Sequence, residues 1–231
     1  MKEKETRGLW TGAALLAAFI GWTVLIRTAD VQAIGPNGTT VGFAAFNGWF
    51  HRMTGVHMTV YTVTDWLGLV PIFICMGFGV LGLSQWIKRK RMLRVDLDIL
   101  LLGVYYILVI FGYLFFEMVP VNYRPVLIDG ILEASYPSST TLLVLSVMPT
   151  LTLQMDRRCK NARLRRAINA FAVLFSALMV FGRLIAGVHW ATDIVGSVLL
   201  SGGLFTVYRT SVNIADQKKA AQRKEETSGI Q

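Results

Sequence analysis

Long apolar runs, interrupted by short polar and basic segments, set the pattern of this chain. A helix that crosses a bilayer needs about 20 predominantly apolar residues. Six stretches approach that length: Leu9 to Ile26, Val60 to Ile87, Leu97 to Val119, Ser138 to Met155, Ala167 to Ile185 and Ala191 to Tyr208. The second is long enough to tilt, and the fourth is short. Between the first two, Phe43, Phe46, Trp49, Phe50 and Met53 recur every three or four residues. That spacing predicts an amphipathic helix lying in the membrane interface, reached through the turn residues Gly35-Pro36-Asn37-Gly38. The expected fold is an all-α membrane protein, a six-transmembrane-helix bundle with an interfacial amphipathic helix in its first outer loop. The bundle occupies residues 1–208. A polar tail, 209–231, extends the last helix and then frays.

Composition supports lipid as the solvent. Hydrophobic residues make up 54% of the chain, charged residues 16%, and the mean hydropathy is +0.52. The net charge of +9 is confined to a few clusters between apolar runs, so it reads as a topology signal and not as a nucleic-acid surface. With the N-terminus inside, segments 1–8, 88–96, 156–166 and 209–231 carry 19 of the 23 Lys and Arg residues. Only Arg27, Arg52, Arg124 and Arg183 fall outside. Both termini are therefore expected in the cytoplasm of a multi-pass plasma-membrane protein. The charged segment Lys2 to Arg7 precedes an apolar run with no small-x-small cleavage site, which predicts a retained anchor. Cys75 and Cys159 lie in unrelated surroundings, so no disulfide, zinc site or thiol chemistry is expected.

The chemistry concentrates where the fifth run meets the sixth. Gly182-Arg183-Leu184-Ile185-Ala186-Gly187-Val188-His189-Trp190-Ala191-Thr192-Asp193 holds an arginine, a histidine and an aspartate in a short span. His189 and Asp193, four apart, share a helix face. A carboxylate on one imidazole nitrogen sets the tautomer and leaves the other free to attack or to bind a metal. Arg183 offers a fork of donors suited to phosphate, and Gly187 permits close backbone approach. His189 alone is accounted for by a capped helix start with an incidental histidine. Arg183 and Asp193 at these spacings turn the reading to phosphoryl chemistry on the outer face. The second outer loop emerges on the same side, with Arg124-Pro125 and then Pro137-Ser138-Ser139-Thr140 at a helix start. The hydroxyls and free N–H groups there form an ordinary N-cap or, with the arginines beside them, an anion site. His51 and His57 read as interfacial surface residues. Asp65 reads equally as an interfacial cap and as a site residue. Tyr105, Tyr106, Phe115 and Phe116 read as packing or interfacial anchors.

These residues resemble the type 2 phosphatidic-acid phosphatase family of membrane lipid phosphatases, whose motifs are Lys-x6-Arg-Pro, Pro-Ser-Gly-His and Ser-Arg-x5-His-x3-Asp. The third is matched by Arg183, His189 and Asp193, with Gly182 in place of its serine. Arg124-Pro125 and Pro137-Ser138 match parts of the first and second. The order of motifs and the six-helix layout agree over roughly residues 60 to 208. The resemblance implies His189 as a nucleophile that forms a phosphohistidine, Asp193 as its orienter, and Arg124, Arg183 and Ser138 as a phosphate cradle extended by Ser139 and Thr140. It implies no cofactor and no obligatory metal, with a lipid phosphate and the bilayer as partners.

Two positions depart from the family. Glu117 stands at the first-motif lysine and Thr140 at the second-motif histidine, which in the family protonates the leaving oxygen. A general acid contributes about 10²–10⁴-fold. Its absence matters less when the leaving group is itself a phosphate, so the departures point to a diphosphate lipid such as a prenyl diphosphate. In a bacterial chain, an undecaprenyl carrier would be the natural candidate. Glu117 could pair with Arg124, replace the acid with a raised pKa, or hold a divalent metal. Two other classes compete with the enzyme. One is a degenerate relative acting as a lipid-binding, transport or scaffold protein. The other is a proton-coupled transporter using Asp65, Glu117 and His189.

Overall fold

The computed structural model describes residues 3–228. Among the described residues eight α-helices follow one another: α1 (Glu3–Thr28), α2 (Ala44–Thr54), α3 (Met58–Leu67), α4 (Leu69–Arg89), α5 (Leu97–Met118), α6 (Ser139–Arg158), α7 (Ala162–Ile185) and α8 (Ala191–Ser228). Three isolated antiparallel bridges are the β pairing of the described residues. The expected second span is a broken helix. Pro71 has no N–H for the Leu67 carbonyl, and α3 gives way to α4 at Gly68, whose N–H bonds the Thr64 and Asp65 carbonyls. α7 begins five residues before the expected Ala167 because Asn161 caps it, accepting from the Arg163 and Leu164 N–H groups. α8 runs well past Tyr208, since the following residues are mostly good helix formers with no Gly or Pro before Gly229. The expected fraying of the tail lies outside the described residues beyond Ser228.

Five segments are long and apolar enough to cross a membrane: α1, α3 with α4, α5, α7 and α8. The expected fourth span, Ser138 to Met155, forms α6 but falls short in apolar composition. The reason lies in its position. α6 packs against α4, α5, α7 and α8, so its buried Ser146, Thr150 and Gln154 face protein. Tyr105 on α5 donates to the Ser146 carbonyl at 2.9 Å, Tyr106 pairs with Thr150 Oγ1 at 2.7 Å, and Gln154 Nε2 donates to the Tyr208 hydroxyl at 3.0 Å. These bonds tie α5, α6 and α8 together, while Ser146 Oγ and Gln154 Oε1 stay buried without a partner among the described residues.

α1 lies along α8 through glycines, the small-residue packing by which helices approach closely in lipid. A Cβ at Gly12 would come within 2.7 Å of Val207, and one at Gly203 within 2.8 Å of Leu16. The segment expected to be amphipathic forms a helix, α2. Its Phe46, Trp49 and Met53 are exposed, while Ala44 and Asn47 are buried against the bundle.

Candidate active site

The C-terminus of α7, the N-terminus of α8 and the loop between α5 and α6 converge at one end of the bundle. In that loop Arg124 N–H donates to the Glu133 carbonyl and Ser135 N–H to the Asn122 carbonyl, each at 3.0 Å. This short ladder sets Arg124 and Ser135 side by side. α8 starts with a reciprocal cap: the Trp190 N–H donates to Asp193 Oδ2 at 2.9 Å, and the Asp193 N–H to the Trp190 carbonyl at 3.0 Å. Asp193 is fully buried, and its other oxygen accepts from Asn122 Nδ2 at 3.1 Å.

His189 is buried between these groups. Its Nδ1 lies 3.1 Å from the Ser135 carbonyl, which can only accept, so this nitrogen carries the proton. Nε2 then keeps its lone pair and accepts from Arg183 Nη2 at 3.3 Å. The expected contact with Asp193 takes a different form. Asp193 Oδ2 stands 3.9 Å from Nδ1, beyond hydrogen-bond length. The orienting acceptor is the Ser135 carbonyl, because the carboxylate is engaged by Asn122 and by the start of α8. Burial, and then the positive charges of Arg183 and Arg124, hold the His189 pKa well below its ordinary value, against the Ser135 hydrogen bond. The imidazole is therefore neutral at physiological pH.

Arg183 has no solvent exposure. Its guanidinium lies over the Tyr61 ring at 4.9 Å, with Nη1 3.5 Å from Thr64 Oγ1 and 3.7 Å from Asp65 Oδ1. Asp65 thus belongs to the site's surroundings as partner of Arg183. Arg124 pairs with Glu133 at 2.9 Å and also approaches Tyr61. Arg124 Nη1 and Arg183 Nε are buried and have no acceptor among the described residues. Unsatisfied donors in such a place favour an anion.

A polar cavity of about 210 Å³ opens here, with Arg124, Glu117, Glu133, Ser139 and His189 on its wall. Glu117 is exposed and makes no ion pair among the described residues; Glu133 has taken the pairing with Arg124. Two expected cradle residues lie elsewhere. Ser138 is fully buried and donates to Thr141 Oγ1 at 3.1 Å, inside the bundle. Thr140 lines a separate, mostly apolar groove of about 310 Å³ with Asp65, Ile72 and Leu143. Tyr113 and Ser139 line both spaces, so groove and polar cavity are neighbours.

The Cβ position of Gly182 is 2.7 Å from Thr64 Cγ2, so Thr64 occupies the room that a serine at 182 would need. Sequence reasoning missed Asn122, Ser135, Thr64, Tyr61 and Asn47. Asn47, buried on α2, donates to Thr192 Oγ1 at 2.9 Å and fastens the start of α8. A lone amide between aromatic positions of an amphipathic helix was its signal. His51 is half-buried and not a free surface residue: its Nε2 lies 3.0 Å from the Gly187 carbonyl, and its ring packs on Trp190. Among the described residues, no group of three or more His, Cys, Asp or Glu side chains is arranged to hold a metal.

A family model, the PAP2 superfamily, matches residues 13–215. The chain belongs to the PAP2 superfamily. A solved structure described as the first transmembrane PAP2-type phosphatidylglycerolphosphate phosphatase from Bacillus subtilis shares its fold, with a TM-score of 0.57 and 16% identity. The match covers 89% of this chain and 96% of that one. A sequence search of curated proteins finds no match. Apolar helices together with a membrane PAP2 fold make this a multi-pass membrane protein.

Proposed function

We propose that this PAP2 protein is a lipid phosphatase that favours a diphosphate lipid, such as a prenyl diphosphate, and works through a phosphohistidine at the outer face. One observation carries the reading: a buried, neutral His189 with its Nδ1 proton committed to the Ser135 carbonyl and its Nε2 lone pair beside Arg183. Arg124 stands in the adjoining cavity with an unsatisfied donor. In the first step Nε2 attacks the terminal phosphorus, an N–P bond forms, and the P–O bond to the lipid breaks. The electron pair leaves with that oxygen. In the second step water attacks the phosphohistidine, yielding inorganic phosphate and restoring the imidazole. Arg124 and Arg183 offset charge on the phosphoryl oxygens. Asp193 acts by holding the start of α8, beside Nδ1.

Thr140 lies in the apolar groove, not in the polar cavity. That supports a substrate whose leaving group is a phosphate, which departs without full protonation. Glu117 also stands on that cavity wall, within the site where any remaining proton transfer would take place. The Lys and Arg distribution supports cytoplasmic termini and six crossings, with α6 as the sheltered sixth and α2 at the interface.

Phosphate release by purified protein tests the reading, with wild type beside His189→Ala on a prenyl diphosphate, a prenyl monophosphate and phosphatidic acid, each with and without chelator. The expected result is release that falls at least about 10³-fold in His189→Ala, fastest on the diphosphate and indifferent to chelation. Faster turnover of a monophosphate would sink the substrate assignment. No release from any lipid by folded protein would leave a binding or transport protein.

A further inference from the structure

Two cavities meet at the opposite end of the bundle from His189, around the 3-10 turn Met92–Arg94 between α4 and α5. The first is an apolar groove of about 370 Å³ along α4 and α5, walled by residues such as Phe78, Trp86, Leu102 and Tyr106. Two wall positions, Gly79 and Gly103, are glycines at which a Cβ would meet nothing within 4 Å. The groove is thus left open by the absence of side chains. The second is a cavity of about 730 Å³ that takes in the polar extension of α8. Its wall holds six cations, Arg89, Arg94, Arg157, Arg158, Lys218 and Lys219, against three carboxylates, Asp96, Asp98 and Asp216.

The carboxylates are already engaged. Asp98 pairs with Arg157 and Arg158, Asp96 with Arg89, and Asp216 with Arg157. Arg94 and Lys218 make no ion pair among the described residues, so the cavity keeps positive charge to offer. Val95 lines both spaces. Within the turn, Met92 faces the groove, while Leu93 and Arg94 face the basic cavity. Leu93 is 92% exposed, an apolar rim between the two.

We propose that this pair of cavities is a binding site for an anionic phospholipid of the cytoplasmic leaflet. An acyl chain lies in the groove, and the phosphate headgroup sits among Arg94, Lys218 and Lys219. An apolar slot that opens into a basic chamber matches an amphiphile with a negative head. A neutral lipid would leave the cations unanswered, and a soluble anion would leave the groove empty. The leaflet follows from the Lys and Arg distribution; the site does not depend on catalysis at His189.

Native mass spectrometry of the whole protein tests this, after transfer from bilayers of equimolar phosphatidylglycerol and phosphatidylcholine. Wild type should retain phosphatidylglycerol over phosphatidylcholine by about tenfold, as a few basic contacts with an anionic lipid supply. Gly79→Leu with Gly103→Leu should reduce retained lipid to background. Arg94→Gln with Lys218→Gln and Lys219→Gln, all on the rim and outside the packed core, should keep a lipid but lower the preference below about twofold. His189→Ala should retain phosphatidylglycerol like wild type. Equal retention of the two lipids by wild type, or retention unchanged by both sets of substitutions, overturns the proposal. So does loss of the lipid in His189→Ala, which would place it in the catalytic cavity.

Discussion

Gly182 and Gly187 flank the end of α7, and each excludes a side chain for its own reason. Gly182 faces the Thr64 methyl on α3, and its Cβ position is already filled. Gly187 has φ +69°, a conformation that costs other residues roughly 1–2 kcal/mol, and its Cβ would run into the Gly55 carbonyl. Gly187→Ala should therefore lower both folded yield and melting temperature, whereas Gly182→Ser should become tolerable when Thr64 is cut to Ala. A thermal-shift assay on the three variants checks this, and equal damage by Gly182→Ser with and without Thr64→Ala would contradict it. Asn122→Ala strips a donor from the buried Asp193 carboxyl and should lower the melting temperature, a loss of about 1–3 kcal/mol for a buried acceptor left unsatisfied. The sign of the pH dependence follows from His189. Its pKa is depressed by burial and by Arg183 and Arg124, so the nucleophilic neutral form persists as pH falls through the ordinary histidine range near 6.5. The acid limb of the rate profile should lie below that range. Arg124→Gln removes one positive charge, raises the histidine pKa and should move the limb upward; an unmoved limb would remove Arg124 from the electrostatics of His189.

At the scale of elements, the bundle is fastened where its helices are least apolar. α1 meets α8 through Gly12 and Gly203, and α6 meets α5 and α8 through Thr150, Gln154 and the tyrosines they bond. Gly12→Leu should force α1 off α8 and cost on the order of 1–3 kcal/mol or more by overpacking, read as a fall in melting temperature in detergent. α2 is held by Asn47 to Thr192 and by the His51 contact with Gly187. The segment between α1 and α3 thereby braces the start of α8, on which His189 depends. Asn47→Ala should lower turnover without changing substrate preference, since Asn47 reaches Thr192 and not the cavity; a changed ratio of diphosphate to monophosphate rates would argue otherwise.

For the whole molecule, the candidate catalytic end and the basic end lie at opposite poles of the bundle, and the charge asymmetry predicts that the catalytic end faces outside. Cysteine labelling in intact cells tests that orientation. In a background with Cys75→Ser, Cys159 should react only after the membrane is permeabilised. With Cys159→Ser added, Ala33→Cys in the first outer loop should react from outside. The reverse pattern would invert the topology and place His189 in the cytoplasm. The two ends also differ in how much a linear reading discloses. Arg183, His189 and Asp193 sit within one short stretch, with spacings that a helix start preserves. The partners of the basic chamber come from segments 89–98, 157–158 and 212–222, and only folding makes them neighbours.

The sequence by itself determined the helices, their approximate ends, the charge asymmetry and the cluster at 183–193. Apolar runs must bury their backbone hydrogen bonds locally in lipid, and that requirement acts within each segment. Tertiary structure decided which polar atoms meet. It assigned the His189 proton to the Ser135 carbonyl in place of Asp193, gave Arg124 to Glu133 and left Glu117 without an ion pair among the described residues. It turned Ser138 into the bundle and Thr140 into the apolar groove, and made the polar α6 a sheltered helix. Side-chain direction at a loop or a first helical turn depends on neighbours far away in sequence, and hydrogen bonding is settled by distances of a few tenths of an ångström that no spacing rule carries.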